Sequence, residues 1–396
     1  MRIFPSKLKI FPLLLALLVF IFWLFSDSKQ SDFLEEILVI QRNVTTVMHD
    51  EQFCVGYNFL EAEDTFREDG LEPVTLAIHG TPEVLQLLGN KPLNWDGPIS
   101  FGLFVDFHSQ KALNYISMLH KCDAAFKRQM TVHFAFRISP SQSECPMIQV
   151  LGYQDCATFL QKSKQLLEEI EDSFQIYPIN LMRNIARRGA KSDLHLIIDT
   201  DMMMSTNFAK MVKPIANRMI DGKNKQVLVV RRFETNENEL PMSFGDLEEG
   251  IENHKTFQFH HKFFFVGHQI PNLMEWFERS HASNDVVAWE IPYTGNDWEV
   301  QIILHRNDPY NVEYFPSRVK DMQSLIYKLC RANYTFNLLS HVFNVHKGIK
   351  EDDTMYSKVV TAHTKRQGRL RTLSRYVTEI DRKYPDTMKR CGQFLL

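Results

Sequence analysis

Residues 194–205 read LHLIIDTDMMMS. A short apolar run passes straight into two aspartates separated by one threonine, Asp199 and Asp201, and then into three methionines. In an extended chain, side chains two residues apart share a face, so the two carboxylates would lie close together. Carboxylates that close repel unless something positive stands between them: a lysine or arginine, a shared proton, or a metal ion. If a cation balances them, neutralising either one leaves the cation-free fold no less stable. If they cap a helix or pair with an arginine, the same change costs ~0.5–2 kcal/mol.

Outward from this stretch the chain alternates strands and helices. VTLAIHG (74–80), ISFGLFVDF (99–107) and MTVHFAFRIS (130–139) read as strands. ALNYISMLHKC (112–122) and TFLQKSKQLLEEIED (158–172) read as helices, and a turn or short helix is expected over 82–90. INLMRNIARR (179–188) is a further helix, with Gly189 expected at its C-cap, and LHLIID is the strand that follows. This alternation predicts βαβ units, an α/β fold with a mainly parallel central sheet flanked by helices. In such sheets ligands bind beyond the carboxyl ends of the strands, where Asp199 and Asp201 would stand. Mg²⁺ and Mn²⁺ take oxygen ligands and bridge carboxylates to substrate phosphates, so a D-x-D strand end suits a nucleotide diphosphate. A solvated turn or a helix cap is the bland alternative.

The chain has 396 residues, 44% hydrophobic and 23% charged, and a net charge of −3, so no electrostatic pull on nucleic acid is expected. No G-x-x-x-x-G-K-[ST] loop is present, which weighs against a phosphoryl-transfer enzyme built on the same aspartates. Ile10 to Phe25 is unbroken apolar sequence behind Arg2, Lys7 and Lys9. It reads as a type II signal-anchor, with 1–9 cytoplasmic, 10–25 in the membrane and the remainder luminal. A cleaved signal peptide is the competing reading, against which stand Trp23 and the absence of a small-x-small cleavage site. Residues 26–70 are polar and acidic and read as a stem, leaving 71–396 as the luminal domain. Asn43-Val44-Thr45 and Asn333-Tyr334-Thr335 are glycosylation sequons. Cys54, Cys122, Cys145, Cys156, Cys330 and Cys391 match no zinc pattern; one or more disulfides are expected in an oxidising lumen, with pairing undecided.

WDGPIS (95–100), YPINLMRNIARRGA (177–190), IIDTDMMMS (197–205), NDWEV (296–300), NYTF (333–336), VHKG (345–348) and KYPDTMKRC (383–391) together resemble glycosyltransferase family 49, in the family's order and spacing. The resemblance implies a GT-A fold and an inverting, Mn²⁺-dependent transfer from a UDP-sugar to a glycan hydroxyl, with Mg²⁺ as the alternative ion. It points to glucuronic acid first, then N-acetylglucosamine or xylose, and to a Golgi membrane protein. It implies Asp199, Asp201 and His346 as metal ligands. The family's acidic segment before VHKG makes Glu313 and Asp321 the expected general bases. Here the chain departs from the family: VEYF stands where a D-E-R-F block is usual, and Val319-Lys320 replaces a Gly-aromatic pair. That departure supports a second reading, a catalytically weakened member that binds glycan or a partner transferase. Homo- or hetero-oligomers with other glycosyltransferases belong to both readings.

Arg183 and Asn184 would reach donor sugar or phosphates, with a surface charge at helical spacing as the alternative for Arg183. Arg183 or Lys347 would be the basic partner of a carboxylate-bearing donor. Met202, Met203 and Met204 read as wall and core residues. KRQGRLRTLSR (365–375) reads as a solvated helix face and HHKFFFVGH (260–268) as a buried strand without metal function. WEIPYTGNDWEV (289–300) has the aromatic and polar mixture of a sugar-binding loop.

Overall fold

The computed structural model describes residues 38–395 apart from 107, 108, 174 and 367. The strands in chain order are β1 (Val39–Val44), β2 (Val47–His49), β3 (Phe53–Leu60), β4 (Val74–Gly80), β5 (Ile99–Phe104), β6 (Met130–Arg137) and β7 (Ile148–Gly152). They continue as β8 (Leu194–Ile197), β9 (Met203–Met204), β10 (Gln226–Thr235), β11 (Thr256–Gln258), β12 (Ala288–Ile291), β13 (Gln301–His305) and β14 (Thr335–Lys347). The main helices are α1 (Lys111–Cys122), α2 (Cys156–Glu168), α3 (Ile179–Gly189), α4 (Phe208–Met219), α5 (Asp321–Arg331) and α6 (Arg369–Lys383).

The main sheet runs β12-β14-β10-β13-β8-β4-β5-β6-β3-β2, with β9 and β11 attached to β14 and β10. Every residue of β4, β5 and β8 is buried, which is what a strand covered by helices on both faces requires. β8, β4, β5 and β6 are parallel, and so are β10 and β14. β13 runs antiparallel to both β8 and β10, and β3 to β6. The sheet is therefore mixed, not mainly parallel: two parallel blocks are joined through β13, which no local pattern marks as reversed. One core lies on β4, β5 and β6 under α1, and a second gathers β10, β13, β14, α5 and α6 around Trp276 and Trp298.

Several expectations are corrected. The stem of 26–70 does not end where the fold begins, because β3 is largely buried and lies inside the main sheet, and β1 pairs with β7. Residues 260–268 are not a strand but a turn and a one-turn helix, Phe265–His268. Gly189 closes α3 without a left-handed conformation, the C-cap being Ala190. Its role is close approach, since a Cβ there would stand 2.2 Å from the His133 ring. All six cysteines pair, as Cys54–Cys145, Cys122–Cys156 and Cys330–Cys391. The proposed anchor, 10–25, lies outside the described residues, among which no helix is long and apolar enough to cross a membrane.

Candidate active site

The D-x-D is a turn, not an extended strand end. β8 stops at Ile197, and the Met202 amide donates to the Asp199 carbonyl at 3.3 Å. Thr200, buried between the aspartates, donates its hydroxyl to the His79 carbonyl on β4 at 2.8 Å. The two carboxylates consequently part. Asp199 meets Arg183 Nη2 at 3.7 Å, Arg232 Nη2 at 3.5 Å and His79 Nε2 at 3.9 Å. Burial would raise its pKa, but Arg183 and Arg232 outweigh burial and hold the carboxyl well below the usual range. His79 itself is pushed down to about 4, chiefly by burial and then by Arg183, and is neutral.

Asp201 points the other way. β9 pairs antiparallel with β14, Met203 opposite Val345, and this register carries His346 to the turn. His346 Nε2 stands 3.4 Å from Asp201 Oδ2, and Nδ1 donates to the Gly348 carbonyl at 2.9 Å. A carbonyl only accepts, so that bond keeps a proton on Nδ1; in the neutral imidazole the Nε2 lone pair then faces a carboxylate oxygen, and a proton on Nε2 turns that contact into a hydrogen bond. Burial lowers the affinity of His346 for a proton, yet the Asp201 hydrogen bond and charge prevail and raise its pKa. Two acceptors competing for one positive species are the donor set a divalent cation takes, so Asp201 and His346 fit Mn²⁺. Asp199 does not share that point: among the described residues Asp199, Asp201 and His346 form no tight three-ligand cluster. Behind the turn, fully buried Lys91 donates to the Met202 carbonyl at 2.6 Å, its pKa lowered by burial to about 8.

Arg183, Asp199 and Arg232 line one cavity with Ile197, Ile198, Glu299, Val300, Gln301 and Met322. Glu299 was not singled out by the sequence reading, although NDWEV contains it. Burial and Asp321 push its pKa up to about 7, and Gln323 Nε2 donates to its Oε2 at 3.0 Å. Arg232 was missed as well; its guanidinium lies 3.8 Å over the Phe259 ring.

The two expected bases are spoken for. Asp321 accepts from Arg183 Nη1 at 2.8 Å through Oδ1 and from the Arg318 amide at 2.8 Å through Oδ2. Glu313 is bound by His49 at 2.6 Å, Asn184 Nδ2 at 2.7 Å and Arg188 Nη2 at 2.9 Å, and does not line the cavity. His49, Asp50 and Glu313 are the one close His–carboxylate cluster among the described residues, with Arg188 on the second Glu313 oxygen. Asn184 also stands outside the cavity. It belongs to a buried polar face of α3 formed by Asn180, Arg183, Asn184 and Arg187. Of these only Arg183 reaches the D-x-D. Lys347 is exposed and donates to Asn238 at 3.4 Å. Met202 and Met204 are core residues. Trp298 is buried in the second core, so the main aromatic of 289–300 is structural. Arg375 pairs with Glu379 on an exposed helix face. Asn43 and Asn333 are both exposed.

Beta-1,4-glucuronyltransferase 1 of Danio rerio is 24% identical over 363 residues, covering 86% of this chain and 82% of that protein. The Homo sapiens protein of the same name is 23% identical, covering 80% and 77%. Xylosyl- and glucuronyltransferase LARGE2s of Danio rerio is 23% identical over 81% of this chain, which spans only 36% of that protein. Among solved structures, GalNAc-T7 with UDP, GalNAc and Mn2+ aligns at 9% identity and a TM-score of 0.40, covering 74% of this chain and 47% of that one. Residues 73–385 match the family model described as "Glycosyl-transferase for dystroglycan", and the chain belongs to that family of glycosyltransferases.

Proposed function

We propose that the chain is an inverting GT-A transferase that moves glucuronic acid from UDP-glucuronate to a glycan hydroxyl in the Golgi lumen, with Mn²⁺ or Mg²⁺ as cofactor. One observation carries this reading: Asp201 and His346 face each other across the D-x-D turn, beside a cavity holding two buried guanidinium groups. Asp201 and His346 would hold the cation, with Asp199 completing its charge from the far side of the turn. The cation supplies stabilisation of the negative charge that develops on the leaving phosphate. Arg183 and Arg232 reach Asp199 only at 3.7 and 3.5 Å; Asp321 holds Arg183 Nη1 at 2.8 Å, so the Nη2 of Arg183 and the guanidinium of Arg232 are the donors that would serve an incoming anion. A glucuronate carboxylate or a diphosphate oxygen satisfies that geometry; N-acetylglucosamine and xylose donors offer only the second. Glu299, raised toward neutrality and lining the same cavity, is the base that takes the acceptor proton in place of Glu313 and Asp321.

The three disulfides and two exposed sequons support a secretory compartment, reached through the 10–25 anchor. Membrane retention after carbonate extraction together with N-glycan on Asn43 or Asn333 is the expected result. A soluble secreted form starting near residue 27 overturns the anchor. Activity is tested by UDP release from purified residues 38–396 across UDP-glucuronate, UDP-N-acetylglucosamine and UDP-xylose, with Mn²⁺ and with EDTA. Turnover with an uncharged donor alone removes the glucuronyl assignment and keeps the transferase. Mn²⁺-dependent UDP binding without transfer from any donor selects the weakened, glycan-binding reading.

A further inference from the structure

The three phenylalanines and the valine of HHKFFFVGH line neither the donor cavity nor a core. After β11 the chain turns at His260, whose carbonyl accepts from the amides of Phe263 and Phe264, and then forms the one-turn helix. Phe263, Phe264 and Phe265 are each partly buried, Val266 is 68% exposed, and none of the four joins a core cluster. Three consecutive phenylalanines that keep part of their surface in water beside an exposed valine forfeit burial that a core would supply, and contiguous apolar surface of this kind marks a binding face.

Its position is set by the site. The Gly267 carbonyl accepts from the Glu299 amide at 2.6 Å, and His268 Nδ1 meets the Glu299 carbonyl at 3.1 Å. On the other side His261 Nδ1 meets buried Glu234 at 2.8 Å, and Glu234 stands opposite His346 in the β10–β14 register. The loop is thus fastened at one end to the residue that lines the donor cavity and at the other to the strand carrying His346. Lys350 Nζ lies over one face of the Phe263 ring, 3.8 Å from its centroid, and 3.3 Å from Asp353 Oδ1.

We propose that Phe263, Phe264 and Phe265 form the platform on which the terminal sugar ring of the acceptor stacks, on the ring surface that Lys350 leaves uncovered. The proposal rests on the transferase reading. Aromatic faces pack against the C–H face of a pyranose, and polar groups at the edge fix its orientation. Continuity with the Glu299 cavity favours a sugar over other occupants. Glu351 and Asp353 pair with Lys262 and Lys350 beside the rings, which leaves no excess positive charge to draw an anionic membrane surface.

The test uses methyl β-glycosides of xylose, galactose and N-acetylglucosamine as acceptors, with UDP release measured in their presence and absence. In Phe263→Ala and Phe265→Ala the acceptor KM should rise about ten-fold. Acceptor-free UDP release and the donor KM, which any general loss of structure would disturb, should stay near wild type. Phe265→Tyr should restore the acceptor KM. An unchanged acceptor KM in both alanine variants overturns the proposal. If no glycoside turns over, saturation transfer from protein to the glycoside ring protons replaces it as the readout: transfer in wild type that disappears in the double alanine variant supports the platform, and its absence in wild type or persistence in the variant overturns it. Absence of Mn²⁺-dependent UDP release in wild type defeats the transferase reading instead.

Discussion

Asp199→Asn should destabilise the metal-free protein, whereas Asp201→Asn should not. The two aspartates sit two residues apart and look equivalent in sequence, yet the turn separates them into different electrostatic environments. Asp199 carries the charge that balances Arg183 and Arg232, at 3.7 and 3.5 Å. An ion pair at that distance is worth ~4–5 kcal/mol at an effective dielectric of 20 and ~1 kcal/mol in water. The Asp199 side chain is 43% exposed, which moves its pairs toward the lower figure. Arg183 keeps Asp321 after the substitution, but Arg232 keeps no carboxylate within 4 Å among the described residues. Stranding one buried guanidinium dominates the cost, and the sum is ~1–3 kcal/mol. For a domain of this size that is a fall in Tm of about 1–4 °C. Asp201 faces only His346 at 3.4 Å, with half its surface in water, so its loss should change stability by less than ~0.5 kcal/mol. Thermal and urea melts of both variants in EDTA, at one pH, measure the difference. Equal or raised stability of Asp199→Asn would refute the arginine clamp and restore the picture of two repelling carboxylates. In the same melts Mn²⁺ plus UDP should stabilise wild type and should lose that effect in Asp201→Asn and His346→Ala.

Three further outcomes are expected. The acid limb of kcat/KM should lie near neutrality, because Glu299 must lose a proton that burial raises to about 7, and Glu299→Gln should abolish transfer while leaving UDP binding intact. Lys91 has its folded pKa lowered from 10.5 to about 8, so between these values the unfolded chain binds more protons than the folded one. Stability of wild type relative to Lys91→Met should therefore rise with pH across that window by up to ~1.4 kcal/mol per unit, and a flat difference from pH 8 to 10 would show that Lys91 is not desolvated. Replacing both Cys330 and Cys391 with alanine should cost ~2–4 kcal/mol in non-reducing urea melts, since that bond closes a loop of 61 residues between α5 and the C-terminal segment.

The parts of the fold written in local pattern were legible. β4, β5, β6, β8 and α3 follow from apolar runs and helical periodicity, and the D-x-D follows from polar residues closing an apolar strand. His346 was reached only through the family resemblance, and the β9–β14 register then brings it to Asp201. The illegible parts depend on long-range contact. Arg232 lies mid-strand in an apolar run, where charge reads as an interruption; only the folded sheet shows it under Asp199 and over Phe259. Glu299 follows a tryptophan that looks like the functional residue and is in fact core. β3 contains Gly56 and Asn58, which blur its pattern, and Gly56 is there because a Cβ would stand 2.3 Å from the Phe134 ring.

The polar face of α3 shows most clearly why the pattern misleads, and it bears on the divergent segment 311–321. Asn180, Arg183, Asn184 and Arg187 recur at helical spacing and would ordinarily mark the face in water. All four are buried, Arg183 against the Asp321 carboxylate and the other three against backbone carbonyls, which a sequence does not display. Asn180 donates to the carbonyls of Val312 and Asp321, Asn184 to that of Asn311, and Arg187 to those of His305, Asp308 and Pro309. A carbonyl is supplied by any residue type, so most of this clamp is indifferent to side-chain replacement in the 309–321 strip. The loss of the family's D-E-R-F and Gly-aromatic pattern there leaves the attachment of α3 intact, and α3 in turn holds Arg183 against Asp199. Glu313 adds to the clamp by accepting from Asn184 and Arg188, which makes it a fastening between α3 and the 309–321 strip. None of the residues at 312–315 or 319–320 lines the donor cavity. Glu313→Gln should accordingly weaken folding through a lost charged contact while leaving Mn²⁺-dependent UDP binding at wild-type affinity, and a selective loss of turnover without a change in stability would return Glu313 to the chemistry.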